Sequence, residues 1–428
     1  MATGTTLSRA FPLASRLDER GRLELGGCDA VELAREFGTP AFVVAEDDLT
    51  ARARAFIAAG RDAGREDFHV VFASKAFPCT AVLELFAREG LWCDAASGGE
   101  LHLALGAGFA PERIVLHGNA KSEAELRMAL RHRVALIVID NFDEIERLEQ
   151  LIGDGALADL GPQPVLVRVT PDVRGETHEK ISTGQADSKF GFSMDAAPEA
   201  IARIGAVAGL ALQGVHAHIG SQLLDLEPFR RAAVELARLG DFAVLDLGGG
   251  LGVQYTDSQP PPPSIEEYTA AVIGAVADAG IGAGTRLLIE PGRSLCANAA
   301  VTLYTVESVK QNVSRWVAVD GGMSDNLRPM LYGAEYEAHV AERFGGSTPC
   351  VLAGKHCESG DVIVRDARLA DPRPGDVIAT PATGAYGFAM ASNYNGVPRA
   401  PVIFCRDGDA RVVVRRETFE DLTARDVR

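Results

Sequence analysis

Short apolar runs, each the length of a buried strand, recur through the first two thirds of the chain and alternate with segments of helical spacing. The runs fall at 69–74, 91–94, 113–117, 134–140, 165–169, 210–218, 243–247 and 286–290. Between most of them, as at 81–90, 122–132, 143–151 and 228–239, apolar residues recur every three or four positions. Strand–helix alternation favours parallel pairing, because each helix returns the chain to the same end of the sheet. Eight repeats over about 250 residues match a closed (β/α)8 barrel of the TIM type. The rival, an open doubly wound sheet, usually begins with a dinucleotide fingerprint. Here Gly248–Gly249–Gly250–Leu251–Gly252 comes late and has Val253 where the last glycine is needed.

Past Glu290 the rhythm changes. Runs at 301–309, 316–319, 350–352, 362–364, 377–379, 401–404 and 411–414 are short, β-branched and separated by Gly, Pro and Asp turns. They predict an all-β domain, a sandwich or small barrel. The expected division is 1–45 as an N-terminal segment that helps complete the β domain, 46–295 as the barrel, and 296–428 as the β domain. The four prolines Pro260–Pro263 cannot be helix and read as a stiff surface excursion.

The 428 residues carry a net charge of −17 and no Lys/Arg-rich run, which argues against nucleic acid or an anionic membrane as partner. Seven scattered cysteines with no C-x-x-C pair form neither a disulfide framework nor a zinc knuckle. The stretch Met1–Arg16 has no charged segment followed by an apolar one, so the cytoplasm is the expected compartment.

In a barrel of this kind the carboxyl ends of the strands build the site. Here those ends carry Lys75, Asp94, His117–Gly118–Asn119, Asp140, Arg168, His216 and His218, Gly248–Gly250 and Glu290–Pro291–Gly292–Arg293. Strand ends chosen only for packing would not be so polar. Lys75 is either a snorkelling surface lysine or a desolvated amine able to attack a carbonyl. The glycines after the seventh strand and the Glu290–Arg293 turn after the eighth, with Ser221, suit a phosphate. His216 and His218, two apart on one strand face, are a metal pair, a ring packed on an aromatic ligand, or satisfied core histidines. No third metal ligand of matching spacing is evident, and no metal is expected. Lysine, phosphate loops, histidine and glutamate together describe a pyridoxal phosphate site. Glu290 facing the pyridine nitrogen keeps it protonated and favours decarboxylation.

Nine motifs in order carry a closer likeness. They are Ala73–Ser74–Lys75–Ala76, His117–Gly118–Asn119, Thr177–Gly184, Asp187–Gly191, His218–Gln222, Glu290–Arg293, Asp320–Met323, Cys357–Asp361 and Gly384–Phe388. With them the chain resembles the diaminopimelate decarboxylases, which share their architecture with alanine racemases and eukaryotic-type ornithine decarboxylases. The resemblance implies that Lys75 carries pyridoxal 5'-phosphate covalently, with His218 stacked on its ring and Glu290 on its nitrogen. Asp94, Ser221, Gly249, Gly250, Pro291, Gly292, Arg293 and Tyr386 would complete the cofactor site. Substrate would be held by Arg293, Arg328, Tyr332, Glu358 and Tyr386, and Cys357 would return a proton after carbon dioxide leaves. Cys357 and Glu358 would come from the partner of a homodimer with shared active sites.

The implied reaction converts meso-2,6-diaminopimelate at its D-centre to L-lysine and CO2, the last step of lysine biosynthesis. Its substrate has an amino-acid head at each end, so the far carboxylate needs a cation and the far ammonium an acid; Arg328 and Glu358 have those charges. Decarboxylases of ornithine, arginine or carboxynorspermidine are the rival enzymes, and a catalytically dead homologue is the rival of another class. Ala120 and Phe77–Pro78–Cys79 depart from the commoner family pattern and leave room for a variant substrate.

Overall fold

The computed structural model describes residues 7–157, 160–173 and 188–427. The motif Thr177–Gly184 and the first residue of Asp187–Gly191 lie outside them. The chain packs as two units: Arg52–Gly252 with Pro262–Gly292, and Met1–Ala51 with Val253–Pro261 and Arg293–Arg428.

The first unit is a closed barrel of eight parallel strands. They are β1 (Phe68–Ala73), β2 (Trp92–Ala95), β3 (Ile114–Leu116), β4 (Leu136–Ile139), β5 (Gln163–Thr170), β6 (Leu210–His216), β7 (Val244–Asp246) and β8 (Arg286–Ile289). Each pairs with the next in sequence, and β8 returns to β1 in the register Ile289↔Val70. Most positions in these strands are buried on both faces, as expected for a parallel sheet covered by helices. Val71, Val115, Val138, Leu166, Val244 and Leu288 belong to one buried cluster. The helices start where the sequence supplies caps. Ser122 and Ser264 form capping boxes with Glu125 and Glu267, while Asn141 accepts from the Glu144 N–H. β6 ends at His216, so His218 lies two residues past the end of the strand rather than within it.

The second unit is built on a nine-stranded sheet. Its longest strand, Ala300–Gln311, pairs at one end with Arg315–Val319 and at the other with Val377–Pro381 and Ala41–Ala45. Ala41–Ala45 also pairs with Val402–Arg406, so the N-terminal segment completes this sheet. Two buried clusters stabilise it, one around Val43, Val301, Leu303 and Ile403, the other around Tyr304, Val317, Leu352 and Ile378. Pro260–Pro263 are exposed or half-buried and lie outside any helix or strand. Among the described residues no helix is long and apolar enough to cross a membrane.

Candidate active site

The polar strand ends of the barrel converge. Lys75 lies in the short turn Ser74–Ala76 that follows β1, and its Nζ is 3.1 Å from Asp94 Oδ2 at the end of β2. The Asp94 side chain is 2% exposed, but that of Lys75 is 43% exposed. Desolvation is therefore not what distinguishes this lysine. What does is a buried carboxylate aimed at an accessible amine.

Glu290, directly after β8, is 4% exposed and lies between two histidines. Its Oε1 is 2.6 Å from His117 Nε2 and its Oε2 is 3.4 Å from His216 Nε2. Burial works to raise its pKa, yet the facing histidines reverse this and hold it well below the usual carboxylate range. Asp246 at the end of β7 behaves oppositely. Burial, and then the charge of Glu290, push it well above its ordinary value. Burial beside Glu290 therefore favours the protonated form of Asp246, while the two histidines favour the ionised form of Glu290. His216 is pushed down to about 4, chiefly by burial. His218 is also held well below its usual value, first by burial and then by the charges of Lys75 and Arg168. Its neutral ring accepts the Gly249 N–H at Nδ1, 3.2 Å away.

The histidine–acid grouping differs from the one suggested by sequence spacing. Ligand atoms of His117, His216, Asp246 and Glu290 lie within 4.8 Å of one another, a set a divalent cation could use, and His218 is not in it. Neighbours on a barrel end come from different strands, so spacing along one strand could not reveal the cluster. Asp246 was missed for a related reason. A single acid ahead of three glycines reads as a turn former, and only its place at the end of an apolar run marked it.

Gly248–Gly250 pack backbone against backbone. A Cβ on Gly249 would lie 2.1 Å from the Glu290 carbonyl oxygen. Gly250 has φ +136° and approaches the Gly220 carbonyl. Gly250 O accepts the Leu223 N–H at 2.9 Å, bringing the Ser221 segment alongside, and Pro291 O accepts the Ala73 N–H at 3.3 Å. Ser221, Gly249, Gly250, Glu290, Pro291 and Gly292 therefore gather at the end of the barrel that carries Lys75. A covalently attachable amine, a neutral ring, an ionised carboxylate and close-packed glycine turns form a donor set that fits pyridoxal phosphate.

The second unit holds its own constellation. Arg293 and Arg328 are 5% and 6% exposed, and tyrosines surround them. Arg293 donates to the Tyr255 hydroxyl and lies 4.9 Å from the Tyr386 ring centroid. Arg328 donates to the Tyr336 hydroxyl and lies 4.7 Å from the Tyr255 ring centroid. Among the described residues no Asp or Glu is within ion-pair distance of Arg328. Tyr332 is half-buried at the end of the short helix Arg328–Tyr332. Tyr255 and Tyr336 carried no sequence signal.

Cys357 is the one exposed cysteine of seven. Its N–H donates to Asn395 Oδ1 at 2.9 Å, and Glu358 accepts from the Tyr394 hydroxyl at 3.4 Å. The turn is braced by His356 and Asp361, paired at 2.7 Å with side chains 0% and 1% exposed. Cys357 and Glu358 thus project from a fixed turn, in contacts of their own rather than with the arginines.

A barrel with this donor set defines a pyridoxal-dependent enzyme. Residues 49–297 match the family model described as "Pyridoxal-dependent decarboxylase, pyridoxal binding domain". A diaminopimelate decarboxylase of Bacillus subtilis (strain 168) is 45% identical over 96% of this chain and 97% of its own. One from Actinosynnema pretiosum subsp. auranticum is 47% identical over 97% of this chain and 95% of its own. The crystal structure of diaminopimelate decarboxylase from M. jannaschii with L-lysine superposes with a TM-score of 0.91 at 32% identity, covering 97% of this chain and 98% of that one. The chain belongs to the diaminopimelate decarboxylase family.

Proposed function

We propose that the protein decarboxylates meso-2,6-diaminopimelate at its D-centre, giving L-lysine and CO2. The observation that carries this reading is Arg328, a guanidinium 6% exposed whose hydrogen bond goes to a phenol. Burying a cation without a counter-anion is costly, and a carboxylate from a bound molecule offsets that cost. A diacid with a distal carboxylate supplies one; ornithine-type substrates do not.

Bound pyridoxal phosphate supplies the electron sink for the carbon that loses CO2. Lys75 would hold it covalently, and Asp94 positions the lysine amine. Ionised Glu290 would hold a proton on the ring nitrogen, and neutral His218 would lie against the ring. Ser221, Gly249, Gly250, Pro291, Gly292, Arg293 and Tyr386 hold the phosphate side. Arg293, Arg328, Tyr332, Glu358 and Tyr386 hold the substrate. Cys357 delivers the proton that replaces the carboxylate. Its exposed turn supports a homodimer in which Cys357 and Glu358 serve the partner's barrel. A biosynthetic role in the cytoplasm follows from the same reading.

The test is release of CO2 and L-lysine from meso-diaminopimelate with added pyridoxal phosphate, beside ornithine, arginine and carboxynorspermidine. Absence of lysine, or preference for a substrate without the distal carboxylate, would sink the proposal.

A further inference from the structure

The two buried arginines of the second unit share one tyrosine. Tyr255, 3% exposed, accepts a hydrogen bond from Arg293 at its hydroxyl and presents its ring face to Arg328, whose Cζ is 4.7 Å from the centroid. We propose that Tyr255 is a positioning residue that fixes Arg293 and Arg328 as a single carboxylate fork, and thereby sets the preference for substrates with a distal carboxylate. The proposal rests on the decarboxylase reading for its substrate, but the fork itself is a statement about carboxylate binding.

Two like charges in a buried setting repel, and their spacing drifts unless something holds both. One aromatic side chain does this with different atoms. The hydroxyl oxygen is an acceptor for one guanidinium, and the electron-rich face attracts the other. A phenylalanine could serve only the second contact and a serine only the first. Tyr336 supports the arrangement from the other side. It accepts from Arg328 and meets the Tyr255 ring edge to face, centroids 5.2 Å apart at 75°.

The backbone beneath Tyr255 is unusually well fixed for a loop. Its N–H donates to Gln259 Oε1 at 3.0 Å. Gln254 Nε2 donates to the carbonyls of Thr256 and Gln259, each at 3.0 Å. The Gln254 carbonyl accepts from the Asn298 amide at 2.9 Å. Two glutamines and an asparagine thus hold the loop from both sides of the tyrosine. A residue that only filled space would not need its backbone held at so many points, and this fixed placement transmits to both arginines.

The test is Tyr255→Phe, which keeps ring and packing and removes only the hydroxyl. Binding to the cofactor-loaded protein is read from the change in cofactor absorbance for L-lysine, which keeps the distal amino-acid head, and for cadaverine, which lacks the carboxylate. The expected result is L-lysine affinity lower by about ten- to a hundredfold, the range for loss of a hydrogen bond to a charged group, with cadaverine affinity unchanged. KM for meso-diaminopimelate should rise with the L-lysine constant, while kcat changes much less. Tyr255→Leu, which removes the ring face as well, should lose more. Equal losses for both ligands, or no loss for either, would overturn the fork. If wild type releases no lysine yet the variant shows the selective loss, the fork stands and the decarboxylase reading falls.

Discussion

Lys121 offers a severe test of how the barrel holds its site. Its side chain and that of Glu144 are 2% and 1% exposed, with Nζ 2.7 Å from Glu144 Oε1. The other two protons of the ammonium go to the carbonyls of Gly118 and Val138, at 2.8 and 2.6 Å. One side chain therefore ties the loop after β3, which carries His117, to β4 and to the helix Phe142–Gly153. Replacing Lys121 with Met keeps the length but leaves a buried carboxylate facing apolar atoms and two carbonyls without their donor. Removing one partner of a buried pair costs about 3–5 kcal/mol. The lost carbonyl bonds place this case at the upper end. For a unit of this size each kcal/mol moves the midpoint by about 2–4 °C, so a drop of about 10–20 °C is expected.

Two controls separate the ion pair from simple damage. Adding Glu144→Gln to Lys121→Met removes the stranded charge and should recover more than half of the loss. The pH dependence has a sign as well. Burial already raises the Glu144 pKa while Lys121 opposes it. Without the lysine the folded-state value climbs further above the unfolded one. A carboxyl raised in the folded state favours folding below that value, so the gap between variant and wild type should narrow as pH falls from 8 towards 5. Calorimetry on the cofactor-loaded protein measures all three quantities. A drop below about 2 °C, where a surface substitution would fall, or a double variant no better than the single one, would refute the reasoning.

Other consequences follow from single contacts. Gly249→Ala puts a methyl 2.1 Å from the Glu290 carbonyl oxygen, where neither backbone can yield without moving a strand end. Cofactor affinity should fall by about tenfold or more, equivalent to only about 1.4 kcal/mol, and equilibrium titration reads it. Cys357→Ala should keep the bound-cofactor absorbance and lose about 10²–10⁴ in kcat, the usual worth of a positioned proton donor. Mixing it with Lys75→Ala should restore part of the activity if sites are shared between subunits; no recovery on mixing would count against that sharing. Asp325 is pushed up to about 7, first by burial, although the Tyr304 hydroxyl and Gly322 N–H oppose this. With its unfolded value near 3.9, it should make stability decline as pH rises from about 4 to 7 and level off above. Asp325→Asn should flatten that slope in a pH series of melting midpoints.

The barrel was legible because strand–helix alternation admits few closed solutions, and the strand ends then had to meet. That is why Lys75, Asp94, His117, His216 and Glu290 could be grouped from a linear reading. What could not be read were contacts made around the ring of strands rather than along one. His216 lies against Glu290, two strands away. Asp246 matters through the charge of Glu290 on the neighbouring strand. Of the two readings of Lys75, the 43% exposure of its side chain is closer to the snorkelling one. A lysine just past a strand end can extend beyond the core, and a buried acid at the next strand end is what holds it.

Tyr255 marks a different limit. It follows the glycine turn by five residues, yet it belongs to the other packing unit, where the chain leaves the barrel for only nine residues between Gly252 and Pro262. No periodicity announces so short an excursion, and a tyrosine in it looks like any loop aromatic. Its importance comes from two arginines that lie 38 and 73 positions further on, a separation along the chain that spacing rules do not reach. The barrel's candidate site residues lie at strand ends, where pattern reveals them. Those that hold the arginines lie between patterns, so substrate preference is harder to read from this sequence than reaction type.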